Sequence, residues 1–306
     1  MNRLKTRLAA AAMVVLGGWL MGCAAAPPAP KPLSAAQQER RLCVAKAPPA
    51  AATAGCGQDE RAGCAARCAD GQASSCAYLG EGFLVGAGQL PQDEPCALLL
   101  LGEACDRGDG RGCGELAKHY LDKGRPQRLR AARKLADKAC RAGYARGCLY
   151  LGGMLLTGLG GQQDAAVAVH SYERACQQDE LDGCVALAGM VRFGKGGLVV
   201  DAKRERALVD KACAGGLPRG CVALGELKVA GRGGQRDVEA GSALFEAACK
   251  QGDGFGCAQQ GMLLLRGTLG KKQPAAAKVF FERACERHAA LGCRMLGFQY
   301  ESGAGT

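Results

Sequence analysis

ACRAGYARGCLYLGGMLLTGLG, residues 139–160, carries the plan of the whole chain. Ala139-Cys140 closes one helical stretch, and Cys148 follows eight residues later. Leu151, Gly152 and Leu155 stand three, four and seven residues beyond Cys148. Those offsets mark one face of a helix. The small residue at offset four lets a neighbouring helix come close, and Gly158 suits the left-handed position that ends a helix. One stretch therefore contains the end of a helix, a tight junction and a second helix with a narrow apolar stripe.

Outward from this stretch, the eight-residue cysteine spacing occurs seven times at intervals of 35 to 37 residues: Cys68/Cys76, Cys105/Cys113, Cys140/Cys148, Cys176/Cys184, Cys213/Cys221, Cys249/Cys257 and Cys285/Cys293. The other features recur in register. Offset three is Leu79, Leu116, Leu151, Leu187, Leu224, Gln260 and Leu296, and offset four is Gly or Ala throughout. Offset seven is bulky (Phe83, Tyr120, Leu155, Val191, Leu264, Tyr300) except at Lys228. A second helix opens at Asp or Pro, as at Asp164, Asp201, Asp237, Pro95, Pro126 and Pro274, both suited to helix N-termini. It carries a bulky residue four before its closing cysteine: Leu101, Tyr172, Val209, Phe245 or Phe281. Each unit is thus helix A, turn, helix B, turn. One such hairpin cannot bury its apolar face alone, whereas stacked neighbours can. The expected fold is all-α, an α-solenoid of antiparallel two-helix repeats stapled by disulfides. Full units run 76–112, 113–147, 148–183, 184–220, 221–256 and 257–292, with a half-unit before them from residue 58 and another after them to residue 306. Phe298 and Tyr300 in the last helix suggest a buried cap or a dimer contact.

Nineteen cysteines point to an oxidising compartment. Loops of this length restrain the unfolded chain by about 2–3 kcal/mol each on the chain-entropy model. The staples would compensate for a thin core with few aromatics and 47 glycines. Cys56, Cys64, Cys68 and Cys76 are spaced eight, four and eight apart, unlike the short knuckles of zinc sites. No metal is expected, and no cofactor. Cys43, Cys56, Cys64 and Cys96 lie outside the seven pairs, and four cysteines allow three connectivities. Stacking of neighbouring B helices offers Cys64 with Cys96 and leaves Cys43 with Cys56.

The N-terminus carries Arg3, Lys5 and Arg7, then an apolar run from Leu8 to Leu20 too short for a stable membrane span. It ends in Leu20-Met21-Gly22-Cys23, which resembles a bacterial lipobox. That resemblance implies removal of residues 1–22 and lipidation of Cys23, and Ala24 resembles lipoproteins sent on to the outer membrane. The expected location is the bacterial cell envelope; a plain secretory signal would leave a secreted or periplasmic protein. Residues 23–57 form a tether with a Pro/Ala stretch at 24–33, and Ser34 to Gln37 reads as a capping box opening a short helix. Loss of the three leader cations takes the formal charge from +11 to +8. The remaining bases are interleaved with acids and lack interspersed aromatics, which argues against nucleic acid.

C-x2-L-G in helix A, G-x-G in the turn and A-C-x7-C at the junction resemble the Sel-one-like repeat family, relatives of the tetratricopeptide repeats. The cysteine form resembles secreted Hcp-like proteins. The resemblance covers residues 58–306 and implies a right-handed superhelix whose A helices line the concave side. Residues at offsets two, five and nine would then face the groove. Tyr78, Glu81, Glu115, Lys118, Tyr150, Phe193, Glu226, Arg266 and Phe298 are the candidate contacts for a protein or peptide, with the exposed aromatics as anchors. Alternatively the row is solvated, or packs on the next helix A. The Hcp-like resemblance also implies β-lactam or peptidoglycan-fragment binding with weak or no hydrolysis. No serine begins an S-x-x-K motif, and His119, His170 and His288 share none. No catalytic residue is assigned.

Overall fold

The computed structural model describes residues 33–47, 64–87 and 90–303. Cys23, the leader segment and Cys56 lie outside the described residues. Among the described residues there are fifteen α-helices and no strand. The A helices are α3 (Ala73–Val85), α5 (Gly110–Asp122), α7 (Ala145–Thr157), α9 (Leu181–Arg192), α11 (Pro218–Ala230), α13 (Gly254–Arg266) and α15 (Ala290–Ser302). The B helices are α2 (Cys64–Ala69), α4 (Glu94–Asp106), α6 (Pro126–Arg141), α8 (Ala165–Gln177), α10 (Ala202–Ala214), α12 (Val238–Lys250) and α14 (Pro274–Glu286). Ahead of them stands α1 (Ala35–Ala45), opened by the expected Ser34/Gln37 capping box.

Sequence punctuation sets the helix ends. Asp164, Asp201 and Asp237 cap α8, α10 and α12 by accepting hydrogen bonds from first-turn amides. Gly158, Gly231 and Gly267 end their A helices in the left-handed conformation. The second glycine of the G-x-G turn has a different task. Gly160, at φ +75°, lies against the Leu129 carbonyl of the preceding unit, and a Cβ there would fall 2.3 Å from that oxygen. Gly233 meets the Ala202 carbonyl in the same way. One glycine ends the helix and the next docks the turn on its neighbour.

The offset-four residue is where helix B presses on helix A. A Cβ on Gly152 would sit 2.6 Å from the Tyr172 ring, and one on Gly261 would sit 2.6 Å from the Phe281 ring. Tyr172 and Phe281 are buried, so the core is a row of small clusters handed from unit to unit. Gln260, which breaks the leucine row, is buried and accepts from the Ser242 hydroxyl of α12 at 3.0 Å. Successive A helices touch along the chain from α3 to α15, whereas successive B helices do not approach as closely. That asymmetry puts the A helices on the inside of the curve. On the outside, long bases bridge the units. Arg174 donates to the Cys140 carbonyl and Lys211 to the Cys176 carbonyl, each at 2.8 Å. Arg287 does the same at Cys249. Cations there satisfy the free carbonyls at a B-helix C-terminus.

The seven recurring cysteine pairs are disulfide-bonded: Cys68–Cys76, Cys105–Cys113, Cys140–Cys148, Cys176–Cys184, Cys213–Cys221, Cys249–Cys257 and Cys285–Cys293, with Cα–Cα distances of 4.4 to 4.7 Å. The A-helix partners Cys184 and Cys257 are wholly buried, and Cys221 is buried too, so these staples run through the core rather than over it. The Arg287 guanidinium that serves the Cys249 carbonyl also lies 2.9 Å from the Cys257 sulfur. The junction loop is shorter than the cysteine spacing, because helix A begins three residues before its cysteine: α6 ends at Arg141 and α7 starts at Ala145. Two expectations are corrected. Cys96 pairs with Cys43, not with Cys64, across 53 residues, so Cys43 is not left for Cys56. Cys64 is disulfide-bonded too, so Cys64, Cys68 and Cys76 have no free thiol for a metal. The Cys43–Cys96 link, with the Arg40–Glu103 and Lys46–Asp93 ion pairs, fastens α1 onto α4. The second correction concerns the buried cap, one of the two readings of the last helix. Phe298 and Tyr300 are more than half exposed, and the buried residue between them is Gln299, which donates to the Pro274 carbonyl at 2.9 Å. Offset seven in α15 faces the place a further B helix would fill, and the Lys278 ammonium lies over the Tyr300 ring there.

Candidate functional concave cleft

Three A helices, α3, α5 and α7, bring a set of polar and aromatic side chains into one cleft on the inner face. Its volume is about 370 Å³, and Glu81, Val85, Glu115, Lys118, His119 and Arg146 are among its lining residues. Each side chain is set by its register. Tyr78 stands two after Cys76, Glu115 two after Cys113, and Tyr150 two after Cys148. Arg111 and Arg146 stand two before Cys113 and Cys148, in the first turn of the next A helix. The arginine that opens one A helix therefore reaches the contact row of the A helix before it.

Arg111 lies over the Tyr78 ring at 4.1 Å and pairs with Glu81 at 2.9 Å. Burial works against its charge, but Glu81 and the two phenols around it raise its pKa overall. Tyr144 donates to Glu115 at 2.6 Å, and Glu115 is buried. The Tyr144 ring fits only because residue 114 is glycine; a Cβ there would fall 2.4 Å from the ring. Burial first, and the Glu115 carboxylate second, push the Tyr144 phenol far above its ordinary value. Tyr150 is pushed up to about 12, chiefly by burial and then by Glu115. Arg146 reaches across to Glu180 of the next junction at 3.4 Å. At the rim, Glu94 receives Lys123 at 3.1 Å and His119 at 3.2 Å. The Lys123 hydrogen bond leads in holding the Glu94 carboxyl below its usual range.

Five of the nine candidate contacts, Tyr78, Glu81, Glu115, Lys118 and Tyr150, thus belong to this cleft or its wall. Two are committed to the scaffold: Tyr78 lies under Arg111, and Glu115 is tied to Tyr144. Here the row packs on the next A helix. Lys118 is exposed and paired along its own helix with Asp122 at 2.5 Å. The other four are strung along the later units. Phe193 caps α9 and is 66% exposed. Glu226 of α11 accepts from the Gln259 amide of α13, and burial raises its pKa. Arg266 ends α13 exposed, and Phe298 is exposed on α15. The expected row did not include Arg111, Tyr144 and Arg146; for the two arginines the shared position two before the cysteine was the available signal.

Among the described residues, three serine hydroxyls are spent on structural hydrogen bonds. Ser171 donates to the Val167 carbonyl, Ser242 to Gln260 and Ser302 to the Gln299 carbonyl. Among the described residues no group of three or more His, Cys, Asp or Glu is arranged to hold a metal ion, and no helix is long and apolar enough to cross a membrane.

No protein-family model matches the chain, and no curated protein sequence matches it. Solved structures do. A protective antigen present in uropathogenic Escherichia coli strains, which displays an SLR fold, is 24% identical with a TM-score of 0.62, over 78% of this chain and 51% of that one. A Sel1 repeat protein from Oxalobacter formigenes is 18% identical with a TM-score of 0.63, over 71% of this chain and 86% of that one. The chain spans about half the length of the first of these. What it shares with both is the Sel1-repeat fold.

Proposed function

We propose that this Sel1-repeat solenoid is a protein-interaction scaffold that holds a peptide or protein segment in the concave cleft of α3, α5 and α7. The observation that carries the reading is the preorganised network of Tyr78, Arg111, Glu115 and Tyr144. Side chains locked by packing and by one another lose little freedom when a partner arrives, which favours binding. The network leaves Lys118, Arg146 and the edge of Tyr150 to meet the partner. A mixed set of cations, carboxylates and aromatic faces suits an extended polypeptide rather than one small ligand.

A random peptide library panned against the oxidised chain tests this. Selected peptides should lose binding to Tyr150→Ala and Lys118→Glu while both variants keep the parent melting temperature. Peptides that bind both variants as well as the parent would place the site elsewhere.

The finer reading is that the scaffold works at the bacterial envelope, anchored through lipid on Cys23. It rests on the basic start, the apolar run and the Leu20-Met21-Gly22-Cys23 sequence. Metabolic labelling with an alkyne fatty acid should mark the parent and not Cys23→Ala. Equal labelling of both would remove the anchor from the proposal.

A further inference from the structure

The bases of this chain are not evenly spread once it is folded. Helix α6 carries six of them, Arg128, Arg130, Arg133, Lys134, Lys138 and Arg141, against one acid, Asp137. It lies on the convex side, away from the cleft. Between α6 and α8, with α7 beneath, runs a groove of about 430 Å³. Leu151, Leu155 and Val167 supply its apolar lining, and Arg130, Arg133, Lys134 and Arg141 its α6 edge. Among the described residues, Arg130 and Lys134 meet no carboxylate, and both are exposed. Asp137 is taken by Arg141 of the same helix at 3.1 Å.

The repeat supplies its own control. One unit on, the groove between α8 and α10 has half that volume, about 210 Å³. It is crossed by Arg204 of α10, which pairs with Glu173 of α8 at 2.7 Å. Glu173 stands three before Cys176, where α6 has Asp137; Arg204 stands nine before Cys213, where α8 has Val167. The α6/α8 groove thus has an exposed valine in place of the crossing cation, and on its opposite edge Arg130 and Lys134 stand without a carboxylate while Arg133 donates to the Gln162 carbonyl at 2.7 Å. A surface groomed only for solubility would keep charges interspersed and would not join them to an apolar floor.

We propose that the α6/α8 groove docks an acidic amphipathic helix of a partner protein, separately from the concave cleft. The cations from Arg130 to Arg141 span about 16 Å at helical rise. The four that line the groove recur at steps of three, one and seven residues, so they form a ridge along it rather than a ring around one point. A ridge of positive charge beside an apolar trough complements a helix with leucines on one stripe and carboxylates flanking it. A single phosphate or carboxylate would need convergent donors, which this ridge does not provide.

The probe is a fluorescent helical peptide as long as α6, built of Leu, Ala and Glu, with leucines at i, i+3, i+4 and i+7 and glutamates beside them. Its anisotropy is titrated with the intact oxidised chain. Binding is expected to weaken by about tenfold between roughly 50 and 300 mM salt, because the contacts are at the surface. Arg130→Glu/Lys134→Glu should abolish it. Val167→Arg should weaken it at least as much as the salt does, by recreating across Asp137 the bridge that narrows the next groove. Circular dichroism of each variant should match the parent. Failure of the parent to bind would overturn the proposal. So would equal binding of a peptide with Lys for Glu, retention of affinity in the double variant, or capture by phosphatidylglycerol vesicles in place of the peptide.

Discussion

Tyr144 shows how one side chain joins scaffold to site. It lies in the three-residue junction between α6 and α7, yet its hydroxyl serves Glu115 on the A helix before, α5. Removal of that hydroxyl leaves a buried carboxylate short of a donor, which costs about 1–3 kcal/mol. Tyr144→Phe is therefore expected to lower the unfolding free energy by that amount, read in urea as a lower midpoint with the slope unchanged, and loss of under about half a kcal/mol would mean Glu115 reaches water. Glu226 makes the opposite case. Burial raises its pKa, partly offset by the Gln259 amide and Arg192, so the folded protein holds this proton more tightly than the unfolded chain does. Its contribution is then favourable below the unfolded carboxyl value and is lost as pH rises through the folded one. Glu226→Gln should raise the melting temperature near neutral pH and leave it unchanged in acid, where both states are protonated. Equal gains at both pH values would trace the effect to packing instead. A carboxylate kept on the inner face at some cost to stability is what a contact position would show.

At the scale of helices, the offset-four glycine is the seat for the next helix, and the same residue should behave differently at its two kinds of position. Gly152 holds the Tyr172 ring, which is buried and cannot swing away. Gly152→Ala should cost about 1–3 kcal/mol by overpacking. Gly297 sits at the same register in α15 but has no atom within 4 Å of where its Cβ would be. Gly297→Ala should be neutral or stabilising by up to about 1 kcal/mol, the ordinary helix preference for alanine. Chemical denaturation of the pair checks both, and a matching loss at Gly297 would mean that something covers α15 in solution. The seats were legible in the sequence because every A helix repeats them against its own B helix. The junction staples, from Cys68–Cys76 to Cys285–Cys293, were legible for the same reason. The disulfide of α1 was not. Cys43–Cys96 depends on where a lone leading helix lands, and no repeat constrains that. Arg111 and Tyr144 were missed for a related reason: each sits at or just before the start of one A helix and acts on the A helix before it. The buried-cap reading of the last helix failed at Tyr300 because offset seven, a register filled by helix B in the earlier units, is open there, while Phe298 stands at offset five on the contact face.

For the molecule as a whole, contact is almost entirely between neighbours, so stability is a sum of links rather than the property of one core. Such an array opens from its weakest end. The two described ends differ. The N-terminal one is covered by α1, fixed by the Cys43–Cys96 disulfide and two ion pairs. The other finishes on α15, and there Cys293 is exposed while Cys105 and Cys113 are buried to within 1%. A reducing agent must reach a sulfur to attack it. Graded reductant, followed by alkylation of freed thiols and peptide mass spectrometry, should therefore open Cys285–Cys293 first and Cys105–Cys113 among the last. Helical content should fall by little more than one helix at the first step. Simultaneous opening of all staples would instead show that the solenoid unfolds as one cooperative unit. Opening of a central pair such as Cys176–Cys184 first would show that the groove beside α6 and α8, not the end of the stack, is the place where this structure is most easily entered.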